Sequence, residues 1–96
     1  MDACLTIWVN LDLGIYIQYE KYGGGYREDY ASKGDLTRLK EYVRTTHNDL
    51  RPVGLYIPFE KAWIAVKDFI ESDGGLSKSI EWIANKDLPK DTFPDP

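Results

Sequence analysis

Few residues in this chain of 96 could carry a reaction. A single cysteine, Cys4, and a single histidine, His47, would have to join a carboxylate to make a thiol-based catalytic set. No local motif surrounds either residue, and a lone cysteine beside a strand is usually a small packing residue. We therefore expect no catalytic site. A small enzyme or small-molecule-binding domain that uses Cys4 and His47 is the alternative.

The sequence supports a metal or phosphate site as little as it supports a catalytic site. One His and one Cys cannot supply the usual zinc ligands, and the chain contains no calcium-loop motif. Gly23-Gly24-Gly25 is not followed by the lysine and helix start of a phosphate-binding loop, so it is typical of a hairpin turn. Glu28 and Asp29 would point to opposite faces of a strand and could not act as an acid–base pair. We expect neither a metal nor a cofactor.

Residues suited to binding are more abundant. Aromatic residues make up 14% of the chain, and five of the seven tyrosines fall between residues 16 and 30 among acidic side chains. Tyrosine combines a large, rigid contact area with a polar end, which protein interfaces favour. The formal net charge of -4 argues against a nucleic-acid binder and suits a basic partner.

The elements that position these residues follow from the spacing of apolar side chains. Apolar and polar residues alternate from Leu5 to Leu11 and again from Ile15 to Glu20. Asp12-Leu13-Gly14 lies between the two runs, so the pattern predicts an antiparallel hairpin. After the glycine turn, Tyr26 to Ala31 is predicted to be a third strand. The three strands would form a meander.

One helix is predicted from Pro58 to Ser72, because proline suits a first turn and Gly74-Gly75 suits the end. Its apolar arc should pack on the sheet, whereas Ile64 lies outside that arc. With one helix available, the other face of the sheet is expected to be open to solvent, and this face carries Trp8 and Tyr16. The predicted arc consists of Phe59, Ala62, Trp63, Val66, Phe69 and Ile70.

The remaining segments complete the order β-β-β-(β)-α-β. Leu39–Thr46 has both helical and strand spacing, with Asp35 as a candidate helix cap. Val53–Ile57 is predicted to be extended, and Ser79–Ile83 to be the last strand. This order predicts one α+β domain, residues 1–85, whose mostly antiparallel sheet carries one main helix on one face. An extended, Pro-rich tail, residues 86–96, would follow it.

Several motifs of the second half follow one another in a set order: Ile57-Pro58-Phe59-Glu60-Lys61-Ala62, Ala65-Val66-Lys67-Asp68-Phe69-Ile70, Gly74-Gly75-Leu76 and Ile80-Glu81-Trp82. Together with the hairpin from Asn10 to Gln18, they resemble one family of bacterial polymorphic-toxin immunity proteins. The resemblance implies an antiparallel sheet packed by the helix, which favours a strand in Leu39–Thr46. It also implies a role, namely to bind a cognate secreted toxin, often a nuclease or a nucleic-acid deaminase, and block it in the producing cell.

We therefore predict a non-catalytic immunity protein that occludes the active site of its toxin. An acidic, tyrosine-rich surface could take the place of phosphates in a basic groove. With one cysteine and no apolar run of bilayer length, we expect a reduced, cytoplasmic protein without membrane or direct nucleic-acid contacts. A third hypothesis is a structural subunit that pairs through an edge strand. The predicted toxin-binding residues are Tyr16, Gln18, Tyr19, Glu20, Tyr26, Glu28, Asp29 and Tyr30, with Asp87, Asp91 and Asp95 behind them.

Overall fold

The computed structural model describes residues 2–45, 48–90 and 92–93. Its strands are β1 (Asp2–Asn10), β2 (Gly14–Gly23), β3 (Tyr26–Ser32), β4 (Tyr42–Arg44), β5 (Leu50–Pro52), β6 (Tyr56–Ile57) and β7 (Trp82–Ala84). A five-stranded antiparallel sheet has the order β1-β2-β3-β7, and β6 pairs with the start of β2. β4 and β5 form a separate antiparallel pair. With helix α1 (Phe59–Glu71), this arrangement confirms the predicted α+β fold.

The meander is made by two turns whose residues were recognised in the sequence. In the first, the Oδ1 atom of Asn10 accepts hydrogen bonds from the backbone N–H groups of Asp12 and Leu13, at 2.9 and 3.0 Å. In the second, Gly24 and Gly25 have φ angles of +51° and +85°. Two positive φ angles are what a two-residue type I′ hairpin turn requires, and glycine adopts them without strain.

Helix α1 covers one face of the sheet through its two smallest apolar residues. Ala62 and Ala65 are buried against Ile17 of β2 and Ile57 of β6. Because alanine lets the helix approach the sheet closely, the buried arc is centred nearer Ala65 than the sequence pattern predicts. Three members of the predicted arc, Phe59, Trp63 and Ile70, are consequently exposed.

The opposite face of the sheet is covered as well. Tyr16, Ala31, Leu55 and Tyr56 form a second buried cluster. The partly buried apolar residues around this cluster are Trp8, Leu13, Leu39, Val43, Ile83, Leu88 and Phe93, which come from the sheet, the β4–β5 region and the C-terminal segment. The expectation that this face is open to solvent is therefore wrong. The reason is tertiary, since segments distant in sequence fold over the face that the helix leaves bare.

The segment with ambiguous spacing contains a turn and then a strand. The carboxylate of Asp35 accepts a 3.0 Å hydrogen bond from the backbone N–H of Thr37 and caps a 3-10 turn, Leu36–Arg38. β4 follows, so the described part of Leu39–Thr46 contains a strand and no helix. Thr46 lies outside the described residues.

Two predicted strands are shorter in the structure. Val53–Leu55 forms a 3-10 turn, and only Tyr56–Ile57 pairs as β6. The last strand begins at Trp82, because residues 78–80 bend before it. Residues 85–87 then form another 3-10 turn that leads into the described part of the tail.

Candidate functional site

Two of the predicted contact residues belong to the interior. Tyr16 is 1% exposed, with its ring stacked on Trp8 at a centroid distance of 4.5 Å and on Phe93 at 6.3 Å. Its hydroxyl donates a 2.6 Å hydrogen bond to Oε1 of the buried Gln18, whose Nε2 donates to Oδ1 of Asn85 at 2.9 Å. Burial raises the pKa of Tyr16. The prediction that Tyr16 and Gln18 face a partner is wrong, since both hold the sheet to the C-terminal segment.

Tyr19 is also internal. Its ring packs edge-on against Phe69 at 6.1 Å and lies 6.2 Å from that of Trp82. Its hydroxyl donates a 2.9 Å hydrogen bond to the carbonyl oxygen of Gly74, just beyond the helix. Burial raises the pKa of Tyr19 as well. Its prediction as a contact residue is wrong because α1 and the loop after it cover its side chain.

The other described candidates lie on the β2–β3 hairpin and on the 3-10 turn beside β3. Glu20 pairs with Asp29 across the β2–β3 ladder, and Tyr26 and Glu28 lie farther toward the hairpin turn. Asp87 belongs to the 3-10 turn that contacts β3. We call these residues the β3 edge surface, namely Glu20, Tyr26, Glu28, Asp29, Tyr30 and Asp87.

The strand edge at this surface is open. β7 pairs with β3 only from Tyr30 to Ser32, and no other described strand pairs with the outer side of residues 26–29. A groove of about 340 Å³ lies against this edge, lined by residues 26–30 of β3, by Ala84 at the end of β7 and by residues 85–86 after it. Unpaired backbone groups beside a groove are a template for binding an extended segment of another chain.

The charges of this surface are mixed rather than uniformly acidic. The Nε atom of Arg27 donates to both carboxylate oxygens of Asp29, at 3.1 and 2.9 Å, and Nη2 lies 4.0 Å from Glu20. Lys21 is paired opposite Glu28 in the β2–β3 ladder, and Lys86 lines the groove. These cations were missed by the sequence reasoning, which counted charges along the chain and not across the strands.

Tyr26 is the most exposed aromatic residue of the β3 edge surface. The side-chain hydrogen bond with Glu28 raises the pKa of Tyr26 to about 12. This hydrogen bond places the hydroxyl beside Glu28 at the polar end of an exposed ring. This geometry suits a contact residue, because a partner meets both a flat ring and a hydroxyl.

A second groove, of about 590 Å³, lies between the start of α1 and the segment before β7. Lys33, Lys61 and Lys78 line it together with Asp35 and Glu81. Three lysines and two carboxylates nearly balance in charge, so the groove has no strong field of one sign that would select an anion or a cation.

The catalytic alternative is only partly visible. Cys4 is exposed on β1 and is paired opposite Glu20 of β2. His47 lies outside the described residues, as do the predicted contact residues Asp91 and Asp95. Within the described ranges, no group of three or more His, Cys, Asp or Glu side chains is placed to hold a metal ion. In the same ranges no helix has the length and apolar character of a membrane span.

Comparison of the chain with protein-family models, with curated protein sequences and with solved structures finds no match. The function is therefore inferred from the residues and their geometry, together with the motifs that resemble immunity proteins.

Proposed function

We propose that this protein is an immunity protein that neutralises a cognate secreted toxin by covering the toxin's active site. The observation that supports the proposal best is the β3 edge surface, where exposed tyrosine and carboxylate groups surround an unpaired strand edge and a groove. The motifs of the second half, which resemble those of one family of immunity proteins, are a separate support. The protein would act in the cytoplasm of the cell that makes the toxin.

This surface would inhibit a nucleic-acid enzyme because such an enzyme must bind the phosphates of its substrate. A nuclease or deaminase must hold phosphates, so its substrate groove is basic. The carboxylates of Glu28 and Asp87 would occupy part of that groove in place of phosphates. The unpaired edge of β3 would align an extended segment of the toxin by backbone hydrogen bonds, with Tyr26 filling the contact beside it.

The mixed charge gives such a surface selectivity. A purely acidic surface attracts any basic groove, whereas alternating charges penalise a partner whose pattern does not match. Lys21, Arg27 and Lys86 would therefore restrict binding to a toxin that offers acidic groups in register. Once bound, a body with extents of 33 × 31 × 24 Å excludes a nucleic acid by its size.

The test uses the toxin encoded beside the gene for this protein. Tyr26→Ala and Asp87→Lys change exposed side chains of the β3 edge surface, so we expect both variants to fold normally by circular dichroism. We expect the double variant to raise the Kd for the toxin by about 100-fold or more, as loss of two interface anchors does. Glu71→Lys is the matched control, because Glu71 is an exposed carboxylate on α1 away from this surface.

The two parts of the proposal fail in different ways. If wild-type protein neither binds the toxin nor protects cells from it, the proposed function is wrong. If wild-type protein binds but the double variant keeps full affinity, the function stands and the β3 edge surface is wrong. Cys4→Ala addresses the catalytic alternative, since a binding protein keeps full protection without the thiol and a thiol enzyme loses it.

A further inference from the structure

β1 forms one edge of the sheet and, after Asp2, lacks the usual protection of an edge strand. Its inner side pairs with β2 from Asp2 to Asn10 in an unbroken register. No strand in the described part of the chain pairs with its outer side. Natural edge strands are usually blunted by charges, prolines or bulges. Residues 3–11 contain no charged residue and no proline, although 29% of the chain is charged.

Exposed apolar side chains on β1 lie on the face that the helix covers. Ile7 and Val9 are paired opposite Ile17 and Ile15 of β2, so they share the face on which Ile17 meets the helix alanines. Their exposed fractions are nevertheless 46% and 56%. They therefore extend the helix-side face of the sheet outward toward the free edge.

Three of the four exposed large apolar side chains of α1, namely Phe59, Trp63 and Ile70, lie on the flank next to β1. Asp68 marks the other flank, because its carboxylate accepts hydrogen bonds from Ser77 at 2.6 Å and Ser79 at 2.8 Å, in the segment that leads to β7. At 3.6 residues per turn, Phe59, Trp63 and Ile70 lie opposite Asp68 around the helix axis. We call these three residues together with Ile7 and Val9 the β1–α1 surface.

We propose that a second copy of this chain binds the β1–α1 surface, with the two β1 strands antiparallel about a two-fold axis. The register that overlaps the full strands places Thr6 opposite Thr6 of the second copy. Leu5 then faces Ile7, and Ala3 faces Val9, so apolar residues meet apolar residues on the helix side. Asp2 faces the uncharged Asn10, and no like charges are paired. The sheets of the two copies join into one, as in isologous dimers.

Charge favours a second copy over the toxin at this surface. A basic groove needs acidic groups opposite it, and residues 3–11 offer none. A second copy, by contrast, presents the same uncharged strand and the same apolar helix flank. The contact also avoids the mutual repulsion that a net charge of -4 creates elsewhere between two copies.

The dimensions of the surface fit a dimer. β1 has nine residues and is therefore about 30 Å long, so two copies paired along the full strand would share a contact of that length. If each helix lies over its own β2, three strand spacings separate the helix axes by about 14 Å. Directly packed helices lie about 8–10 Å apart, so large side chains such as Trp63 and Phe59 are needed to fill the space.

The first test is the mass of the full chain in solution by light scattering. We expect wild type to form a dimer of twice 11.0 kDa. Val9→Lys and Trp63→Glu place a charge on the β1–α1 surface, and each should raise the dimer dissociation constant at least about tenfold. Ile64→Glu is the matched control. Ile64 is 45% exposed on the flank of α1 that faces away from β1, so this change should leave the mass unaltered.

The second test fixes the register. In the Cys4→Ser/Thr6→Cys variant, the two new thiols face each other at the two-fold axis, and mild oxidation should link them. The native Cys4 thiols of a wild-type dimer would be four residues out of register, about 13 Å apart along the strands, which is too far for a disulfide. Rapid linkage through Cys4 in wild type, or none in the variant, would overturn the proposed pairing.

These outcomes are distinct from those that test toxin binding. Wild type that stays monomeric at about 100 µM overturns the dimer, whatever the toxin does. A Val9→Lys protein that is monomeric and still binds toxin with wild-type affinity supports both proposals, because the two surfaces are then separate. If wild type is monomeric alone and Val9→Lys lowers the affinity for the toxin, the toxin binds the β1–α1 surface. The proposal of a second copy there would then be refuted.

Discussion

Ser32 of β3 is joined through one buried hydroxyl to β2 and to the 3-10 turn before β6, and loss of this hydroxyl should be costly. The Oγ atom accepts a 2.9 Å hydrogen bond from the backbone N–H of Ile17 and donates a 2.7 Å hydrogen bond to the carbonyl oxygen of Leu55. Ile17 lies between the part of β2 that pairs with β6 and the part that pairs with β3. The Ser32 hydroxyl therefore provides the acceptor for the Ile17 N–H that neither β6 nor β3 provides at this position.

Ser32→Ala removes both hydrogen bonds and leaves two buried backbone groups unpaired. Each unpaired buried group costs about 1–3 kcal/mol, so the free energy of unfolding should fall by roughly 2–6 kcal/mol. Domains of this size have total stabilities of about 5–15 kcal/mol. At about 4–8 °C per kcal/mol, the thermal midpoint should fall by at least about 8 °C.

The assay is urea unfolding followed by far-UV circular dichroism, compared with the thermal midpoint of the same samples. Ser79→Ala is the control, because Ser79 is exposed and water can replace its hydrogen bond to Asp68. Ser79→Ala should lower the free energy of unfolding much less than Ser32→Ala does. A loss below about 1 kcal/mol for Ser32→Ala, with an unchanged denaturant slope, would refute the argument that unpaired backbone groups set its cost.

Three further changes test other contacts. Gly14→Ala should destabilise the protein by more than about 2 kcal/mol in urea unfolding, because Gly14 has φ +110° and a Cβ there would overlap the carbonyl oxygen of Ile57; a cost below about 1 kcal/mol would contradict the close approach. Tyr19→Phe should cost about 1 kcal/mol in the same assay, since it removes the hydrogen bond to Gly74 and keeps the ring; no loss would mean that the bond contributes nothing. Hydrogen bonds from Ser77 and Ser79 lower the pKa of Asp68 below its usual 3.8, so its stabilisation is present above that pH and is lost as the pH falls through the lower folded value. The difference in thermal midpoint between wild type and Asp68→Asn should therefore shrink as the pH falls below about 4, and a constant difference would contradict this linkage.

Features fixed by neighbouring residues were predictable from the sequence. The glycine pair at the second hairpin, the Asx turn after Asn10 and the capping carboxylate of Asp35 all act within four residues of their own position. The helix was predicted to within one residue at each end, because proline before it and glycines after it limit its length.

Features that depend on distant segments were not predictable. Alternation separates the two faces of β2 but does not say what covers each face. Tyr16 and Gln18 are buried because Phe93 and Asn85, more than 65 residues away, pack on that face. The single predicted helix and the amphipathic character of tyrosine suggested an exposed surface, but Tyr16 and Gln18 satisfy their polar groups internally instead.

The buried face of α1 was also only partly predictable from the sequence. The hydrophobic pattern weights large side chains, so it includes Trp63 in the buried face. In the structure two alanines meet the sheet, and Trp63 is 66% exposed on the flank next to β1. The spacing of Ala62 and Ala65 was a usable signal, since small residues three positions apart allow close packing of a helix on a sheet.

The central claim is that another protein is recognised at the β3 edge surface. Hydrogen–deuterium exchange of this protein, alone and with the toxin encoded beside its gene, measures that contact directly. The account predicts slowed exchange at the backbone of residues 26–29 and 85–87, where β3 lacks a strand partner within the described chain and a groove lies beside it. Slowed exchange confined to other segments, or no change with a bound toxin, would contradict it.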